Sequence, residues 1–313
     1  MSNAQLISEI RQLKRAYNLK LGISIGMLVL GFFTFIFGGF GSVMSFGGRG
    51  FGSVGIGFLM FALGIVLLIL SNGAKKKLKT YVGEKITASV LSEFMDLWSF
   101  EPNAYTDKEV LTDLSILPSH NQRSGSDLIR GRYQGHELEL CDLLLQQVTS
   151  TGKTTTVITV FKGQLLSYSL GKLLNGYVEV TKRTAGKTGG FLKRVKNWGT
   201  SMSKGRDFES VEMENDEFNS RFDVRAEDPH TAFLVLTPQF MEKLMEVSDR
   251  VSTNFCFTRD KVWMAIRSDK DYFEVKGDFT DEADIERFRE SIREDLRSSL
   301  SLLDILRKNE YLF

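Results

Sequence analysis

Two uncharged apolar runs near the amino end dominate the pattern of hydrophobic and polar positions. They are Leu21–Phe40 and Gly52–Leu70, and a short glycine-rich turn joins them. A helix rises about 1.5 Å per residue, so roughly 20 apolar residues cross the hydrocarbon core of a bilayer. Each run has this length, and the pair therefore predicts a two-helix transmembrane hairpin over residues 21–70.

Residues 1–20 are predicted to form a cytosolic amphipathic helix that leads into the first run. Its apolar positions share one helix face and are Leu6, Ile10, Leu13 and Tyr17. A cleaved signal peptide is the alternative interpretation. The apolar run is longer than a usual signal core, and no small-residue cleavage site closes it, so the pattern favours an uncleaved anchor.

Basic residues flank the hairpin at its outer ends, while the turn between the runs carries Arg49 alone. Lysine and arginine close to a span stay on the cytoplasmic side. The flanking residues are Arg11, Lys14, Arg15, Lys20, Lys75, Lys76, Lys77 and Lys79. The sequence therefore predicts a multi-pass protein of the bacterial inner (cytoplasmic) membrane with both termini in the cytosol.

The two runs themselves contain no Asp, Glu, Lys, Arg or His. Ion and proton pathways usually require such residues inside the membrane, so a transporter or pump is a poor fit. Small residues let helices approach closely, either within one hairpin or against a second copy. The predicted helix-packing residues are Gly22, Gly26, Gly57 and Gly64.

Residues 71–100 are predicted to form a juxtamembrane helix that Pro102 ends. Its apolar positions recur at helical spacing and are Ile86, Val90, Phe94 and Leu97. Such a stripe is typical of a core face or a coiled-coil seam.

Residues 101–313 predict a cytosolic α+β region. Period-two alternation, typical of antiparallel sheet, marks its strands. The predicted strands are Leu128–Tyr133, His136–Leu144, Thr154–Phe161, Leu165–Ser169, Tyr177–Thr181, Ser210–Met213, Arg221–Val224, Thr231–Leu236, Asn254–Thr258, Lys261–Ile266 and Tyr272–Val275. Helical spacing marks Pro238–Val247 and a long C-terminal helix, Asp281–Lys308, which we expect to pack across one face of the sheet.

A basic excursion at residues 182–206 interrupts the strands, with eight basic residues and no acidic one. As a helix it would place apolar side chains on one face with basic ones around them, which suits contact with anionic lipid headgroups. A solvated loop is the alternative, because five glycines weaken helicity. Nucleic acid fits poorly, since one basic loop is a small footprint. The predicted lipid-contact residues are Phe191, Lys193, Arg194, Val195, Lys196 and Trp198.

Motifs for catalysis or metal binding fail on inspection, and we predict no cofactor, no metal site and no enzyme. Residues 151–154 are similar to the end of a phosphate-binding loop, but Gln147 stands where that motif requires glycine. The three histidines lack the spacing of zinc ligands. Two catalytic hypotheses stay open: His230 with Asp228, and the carboxylates of residues 212–217. Cys141 and Cys256 are interpreted as small buried hydrophobes.

Besides the hairpin, several short segments carry a resemblance to a known family: Gly131–Gly135 with Glu137 and Glu139, Val160–Gly163, Val211–Glu214, Glu217–Val224 and Ala232–Met241. With these segments the chain resembles a family of bacterial membrane proteins catalogued as domain of unknown function 3137. The resemblance implies an uncharacterised cytosolic domain tethered by two spans. It implies no catalytic residues.

These observations predict a membrane-anchored cytosolic interaction module, a scaffold or adaptor that contacts anionic lipid through its basic segment. The expected partners are the bilayer, a further membrane or cytosolic protein, and a second copy of the chain. Two alternatives stay open: an enzyme without a recognisable motif, and an oligomeric pore or sensor built from several hairpins.

Overall fold

The computed structural model describes residues 3–44, 50–152, 154–183, 207–249, 251–275 and 281–313. It divides into two compact units. Unit 1 comprises Met1–Lys85 with Val275–Phe288, and unit 2 comprises Ile86–Glu274 with Arg289–Phe313. The predicted basic excursion lies almost entirely outside the described residues.

Unit 1 is built on two long helices, α1 (Asn3–Met44) and α2 (Gly50–Val82). The predicted amphipathic segment and the first apolar run form one uninterrupted helix, because no helix-breaking residue separates them. Leu6, Ile7 and Ile10 are buried.

The predicted juxtamembrane helix is wrong at its C-terminal end. A π-helical turn, Gly83–Thr87, follows α2, and α3 (Ala88–Phe94) completes the helical stretch. Asp96–Glu101 is strand β1, whose Leu97 pairs with Gly131 of the next strand. A Cβ atom at Gly131 would lie 2.7 Å from the Asp96 carbonyl oxygen, so glycine permits this close pairing. Strand pairing overrides the helical spacing that included Leu97.

Unit 2 contains a nine-stranded antiparallel sheet in the order β1-β2-β3-β4-β9-β8-β5-β7-β6. The remaining strands are β2 (Gln122–Tyr133), β3 (His136–Ser150), β4 (Thr155–Ser169), β5 (Val178–Lys182), β6 (Glu209–Ser210), β7 (Phe222–Ala226), β8 (Thr253–Phe257) and β9 (Lys261–Arg267). The remaining helices are α4 (Lys108–Asp113), α5 (Asp216–Arg221), α6 (Pro229–Val235), α7 (Pro238–Ser248) and α8 (Glu282–Leu306). The first residues of α8, 282–288, belong to unit 1 and the rest to unit 2. The predicted α+β class, with apolar N-terminal helices, an antiparallel sheet and a long C-terminal helix, is confirmed.

A buried apolar cluster holds α4 and the segment after it against the sheet. Leu111 and Leu117 pack there with Leu143, Phe161 and Cys256. Both cysteines are buried and neither forms a disulfide. On α8 the predicted apolar stripe is buried throughout, at Ile285, Phe288, Ile292, Leu296, Leu300 and Leu303.

The predicted strand Thr231–Leu236 is wrong, because these residues form most of α6. The Asp228 carboxylate caps this helix by accepting the His230 backbone N–H at 3.1 Å, and Pro229 occupies its first turn. A short apolar run is consistent with a strand or a buried helix, and here the cap and the proline favour the helix. Helix α5 was not predicted, although Asn215 caps it through the Phe218 backbone N–H at 2.9 Å.

Two predicted strands on either side of Gly163 are one continuous strand, β4. Gly163 has a φ of +150°, and a Cβ atom there would lie 1.9 Å from the Ile266 carbonyl oxygen of β9. Glycine is therefore required for close approach of two strands, and it does not mark a turn.

The predicted strand at Tyr272–Val275 is also wrong. Phe273 has a φ of +55°, in the left-handed region, and this breaks an extended chain.

Candidate functional site

The first candidate site is the apolar surface of α1 and α2. Two stretches, Gln5–Phe37 and Gly55–Phe94, are long and apolar enough to span a membrane, and only 11% and 17% of their most apolar windows are buried. Large side chains face outward, among them Leu19 (65% exposed), Leu59 (68%) and Ile69 (63%). The described chain therefore leaves this apolar surface uncovered.

Three glycines lie at close contacts between α1 and α2. A Cβ atom at Gly31 would lie 2.7 Å from the Phe61 backbone nitrogen, and one at Gly57 would lie 2.8 Å from the Phe35 backbone nitrogen. At Gly64 it would lie 2.9 Å from the Leu28 side chain. Without side chains at these positions the two backbones approach closely, as in membrane helix pairs.

The four glycines predicted to pack helices divide into two pairs. Gly57 and Gly64 lie on the contact between α1 and α2, whereas a Cβ atom at Gly22 or Gly26 would have nothing within 4 Å. The packing of Gly22 and Gly26 against a second copy stays a prediction. Sequence reasoning missed Gly31, because Met27 and Phe35 stand four residues away on either side and no small-residue pair marks it.

The second candidate site is an open cavity of about 260 Å³ in unit 2. Its polar lining includes Ser124, Ser126, Asp142, Lys162 and Lys270. A β-bulge in β2 lies beside it, where the register with β3 shifts between Ser126 and Ile129. Bulges redirect side chains and recur next to functional sites. This cavity combines a distorted strand with the half-buried carboxyl group of Asp142.

Asp142 is the acidic group of this cavity. Its Oδ1 accepts a hydrogen bond from Gln164 Nε2 at 3.3 Å, and its Oδ2 accepts one from the Tyr272 backbone N–H at 3.0 Å. Burial raises the pKa of Asp142 to about 8, and the negative charge of Asp127 adds to the increase. The two hydrogen bonds act in the opposite direction without offsetting it. Asp142 is therefore largely protonated at neutral pH.

A second carboxylate, that of Asp295 on α8, completes the arrangement. Its Oδ2 accepts the Phe273 backbone N–H at 3.0 Å, and its Oδ1 pairs with the Lys270 ammonium group. Gln164 connects Asp142 to α8. Its Nε2 donates to Asp142, and its Oε1 accepts a hydrogen bond from Ser299 of α8 at 2.6 Å. We call residues 270–273 the clamped segment, since a carboxyl group from β3 and one from α8 each bind its backbone.

Sequence reasoning missed this network. The available signal was a charged or amide residue within an otherwise apolar stretch, as at Asp142 between Cys141 and Leu143. Asp295 and Ser299 lie four residues apart among the buried apolar positions of α8 and carry the same signal. The polar atoms of Asp142 bind the chain itself, so the arrangement acts first as a structural clamp.

Except for Asp228, which is half-buried, the residues of the two catalytic hypotheses are exposed. Asp228 caps α6, and hydrogen bonding by the Thr231 hydroxyl lowers the pKa of Asp228. An open cavity of about 430 Å³ includes Asp228 in its lining but not His230, which is exposed. Glu212, Glu214, Asp216 and Glu217 are all exposed. In neither hypothesis do the named residues lie together in one of the two cavities described.

Two further predictions concern lipid contact and metal binding. The lipid-contact residues Phe191, Lys193, Arg194, Val195, Lys196 and Trp198 lie outside the described residues. Within the described ranges, no group of three or more His, Cys, Asp and Glu side chains could hold a metal ion.

Comparisons with solved structures and curated proteins add little about function. A crystal structure of the mycobacterial trehalose monomycolate transport factor A, TtfA, is similar to this chain at 8% identity with a TM-score of 0.32. The alignment covers 69% of this chain and 94% of that one. A TM-score this low supports no conclusion about this chain. No curated protein matches the sequence.

The comparison with protein families agrees with the resemblance found in the sequence. Residues 159–308 match a family described as "Protein of unknown function (DUF3137)". The hairpin and the Gly131–Gly135 segment, which also contributed to the resemblance, lie outside this range. The predicted resemblance is confirmed over residues 159–308, the part of this chain that carries the sequence pattern of the DUF3137 family.

Proposed function

We propose that this protein is a membrane-anchored interaction module, a scaffold or adaptor whose α+β domain works in the cytosol at the bacterial inner membrane. The supporting observation is the uncovered apolar surface of α1 and α2. Removing one large apolar side chain from water gains roughly 1.5–3 kcal/mol, so a helix pair with many such side chains favours lipid over water.

The distribution of charge supports the proposed orientation. Basic residues precede the first apolar run and follow the second, and Arg49 alone lies between them. Because lysine and arginine close to a span stay on the cytoplasmic side, this asymmetry supports an orientation with both ends of the hairpin, and with them the α+β domain, in the cytosol.

Alkaline extraction and protease protection test the proposal together. We expect the full chain to stay in the membrane pellet at alkaline pH. A tag at its C-terminus should resist protease in intact spheroplasts and be digested in inverted vesicles. A soluble cytosolic protein and a periplasmic tag serve as controls. Release into the supernatant would contradict the anchor, and digestion in intact spheroplasts would contradict the orientation.

Crosslinking in native membranes tests the interaction role. We expect a crosslinked partner, either another protein or a second copy, to be recovered with the wild-type chain. A chain that crosslinks only to lipid would contradict the role of scaffold or adaptor.

One observation supports the enzyme alternative, and another opposes it. A carboxyl group with a raised pKa beside a cavity is typical of functional sites. The hydrogen bonds of Asp142 to Gln164 and Tyr272, however, use both of its oxygens within the protein. These hydrogen bonds support a structural role for Asp142 in holding the clamped segment.

A further inference from the structure

The hairpin of β3 and β4 extends beyond its neighbouring strands. Strand β9 pairs with β4 only from Gly163 onward, and β2 pairs with β3 only as far as Gln146. Residues 147–150 pair with residues 155–158, for example Val148 with Val157, and Thr159 and Phe161 pair with Gln146 and Leu145. We call residues 147–150 and 155–161 the arm. The arm is therefore a two-stranded ribbon that continues past the sheet.

One edge of the arm is capped. The Asn121 side chain donates to the Val148 carbonyl at 2.7 Å and accepts the Val148 backbone N–H at 2.8 Å. The amide group thus replaces a neighbouring strand and satisfies the backbone of β3 there. This edge is closed to another chain at that point.

The opposite edge, Thr155–Phe161 of β4, differs. Among the described residues no strand pairs with it, since β9 begins its pairing at Gly163. Every residue from Thr155 to Val160 is β-branched, and the stretch contains no charge, proline or glycine. Val157 is 53% exposed. Proteins normally protect free edges with charges, prolines or bulges, because an unprotected edge pairs with other chains.

We propose that this edge pairs with the same edge of a second copy of the chain, antiparallel and about a two-fold axis. An isologous contact brings each side chain close to a side chain from the same six residues. Because none of the six is charged, the pairing places no like charges together. Threonine and β-branched aliphatic residues are also favourable cross-strand neighbours.

The second copy is favoured over a soluble partner by the size of the contact. Pairing of six residues buries much less than the roughly 1,200 Å² typical of a stable soluble interface. Such a contact forms efficiently when both copies are held at high local concentration, as in one bilayer. The inference therefore rests on the proposed function and names a surface and a partner for it.

A cysteine scan of the full chain in native membranes tests the pairing. A residue on the two-fold axis meets its own copy at a Cα distance of about 4.5–5.5 Å, within the range for a disulfide. One position away, the two copies are displaced by roughly 7 Å along the strands. We expect disulfide dimers at one position, or weakly at two adjacent ones, when single cysteines replace residues 155–159. The parent chain should give none, because its own cysteines are buried.

A charge exchange provides the matched control. Val157→Lys and Val157→Glu should each abolish pairing alone, and co-expression of the two should restore it as a mixed dimer. Thr149→Lys changes the other strand of the same arm, whose Thr149 pairs with Thr156, and should leave the dimer intact. A flat crosslinking profile, no dimer, or crosslinks only to other proteins would overturn the inference.

The two proposals fail in different ways. If the chain stays in the membrane pellet but gives no position-dependent dimer, the arm inference fails and the anchor stands. If the chain is extracted at alkaline pH, the anchor fails. The cysteine scan is then repeated on the soluble fraction, where a peaked profile still supports the arm and a flat one overturns it.

Discussion

Asp142 shows at the scale of one residue how burial links stability to pH. The pKa of its carboxyl group is about 8 in the folded protein and 3.8 in the ordinary reference state. The folded chain therefore binds a proton that the unfolded chain has released throughout this interval. Because the unfolded state binds fewer protons, the contribution of Asp142 to stability is greatest below about pH 4 and is lost as pH rises through about 8.

The substitution Asp142→Asn removes this titration and keeps an oxygen that can accept the Tyr272 backbone N–H. We expect the stability of the variant, relative to the parent, to improve on going from pH 5 to pH 8. Thermal unfolding of the full chain in detergent at both pH values measures the difference. Glu212→Gln, which neutralises an exposed carboxylate, is the control and should not change this pH dependence. An equal pH dependence in parent and Asp142→Asn would show that Asp142 carries no such proton.

At the scale of elements, the pairing of α1 with α2 depends on positions without side chains. Gly31, Gly57 and Gly64 lie where the two helices touch, whereas Gly22 and Gly26 have open space around them. The sequence pattern of small residues four apart identifies Gly22 and Gly26 but does not identify Gly31. Spacing alone does not reveal which helix face meets its partner, because that depends on the crossing of the two helices.

Valine at position 31 should separate α1 from α2, since its Cβ atom would lie 2.7 Å from the Phe61 backbone nitrogen. We expect Gly31→Val to lower the thermal unfolding temperature in detergent, by an amount equivalent to roughly 1–3 kcal/mol for overpacking. Gly22→Val, in open space on the same helix, should change it little. If both variants unfold at the same temperature, the described helix contact is wrong.

The strands and helices of unit 2 also show what a sequence pattern can and cannot predict. Helices α7 and α8 were predicted within a few residues, because their apolar stripes and caps agree. Helix α6 was not, because a short apolar run such as Phe233–Val235 is consistent with a strand, while Asp228 and Pro229 indicate a helix start. The clamped segment depends on carboxyl groups from β3 and α8, distant in sequence, and no local pattern contains that information.

At the scale of the whole molecule, the apolar hairpin, the α+β class and the long C-terminal helix were all predictable from periodicity. The sheet order was not, since it places β9 beside β4 and β5 between β8 and β7. The polar network that joins Asp142 and Asp295 was not predictable either, because its hydrogen bonds are made by residues brought together only in the folded chain. The basic excursion stays a prediction, because its contact residues lie outside the described ranges.

Contact of the basic excursion with lipid should depend on the charge of the bilayer. We expect slower amide hydrogen exchange across residues 191–198 when the full chain is reconstituted with anionic lipid than with neutral lipid. Each basic residue near an anionic surface contributes about 1 kcal/mol. The double variant Lys193→Glu with Arg194→Glu should lose the difference, while Lys108→Glu with Lys261→Glu, on unit 2 outside this segment, should keep it. Equal exchange in both lipids would contradict the predicted contact.

The proton on Asp142 also changes the net charge of the folded chain. A formal charge of +1 counts every aspartate as an anion. With Asp142 neutral, the folded chain carries +2 near pH 7, and denaturation at that pH releases a hydrogen ion into solution. In a weakly buffered sample, unfolding should therefore acidify the medium, and the isoelectric point of the native protein should exceed that of the denatured one.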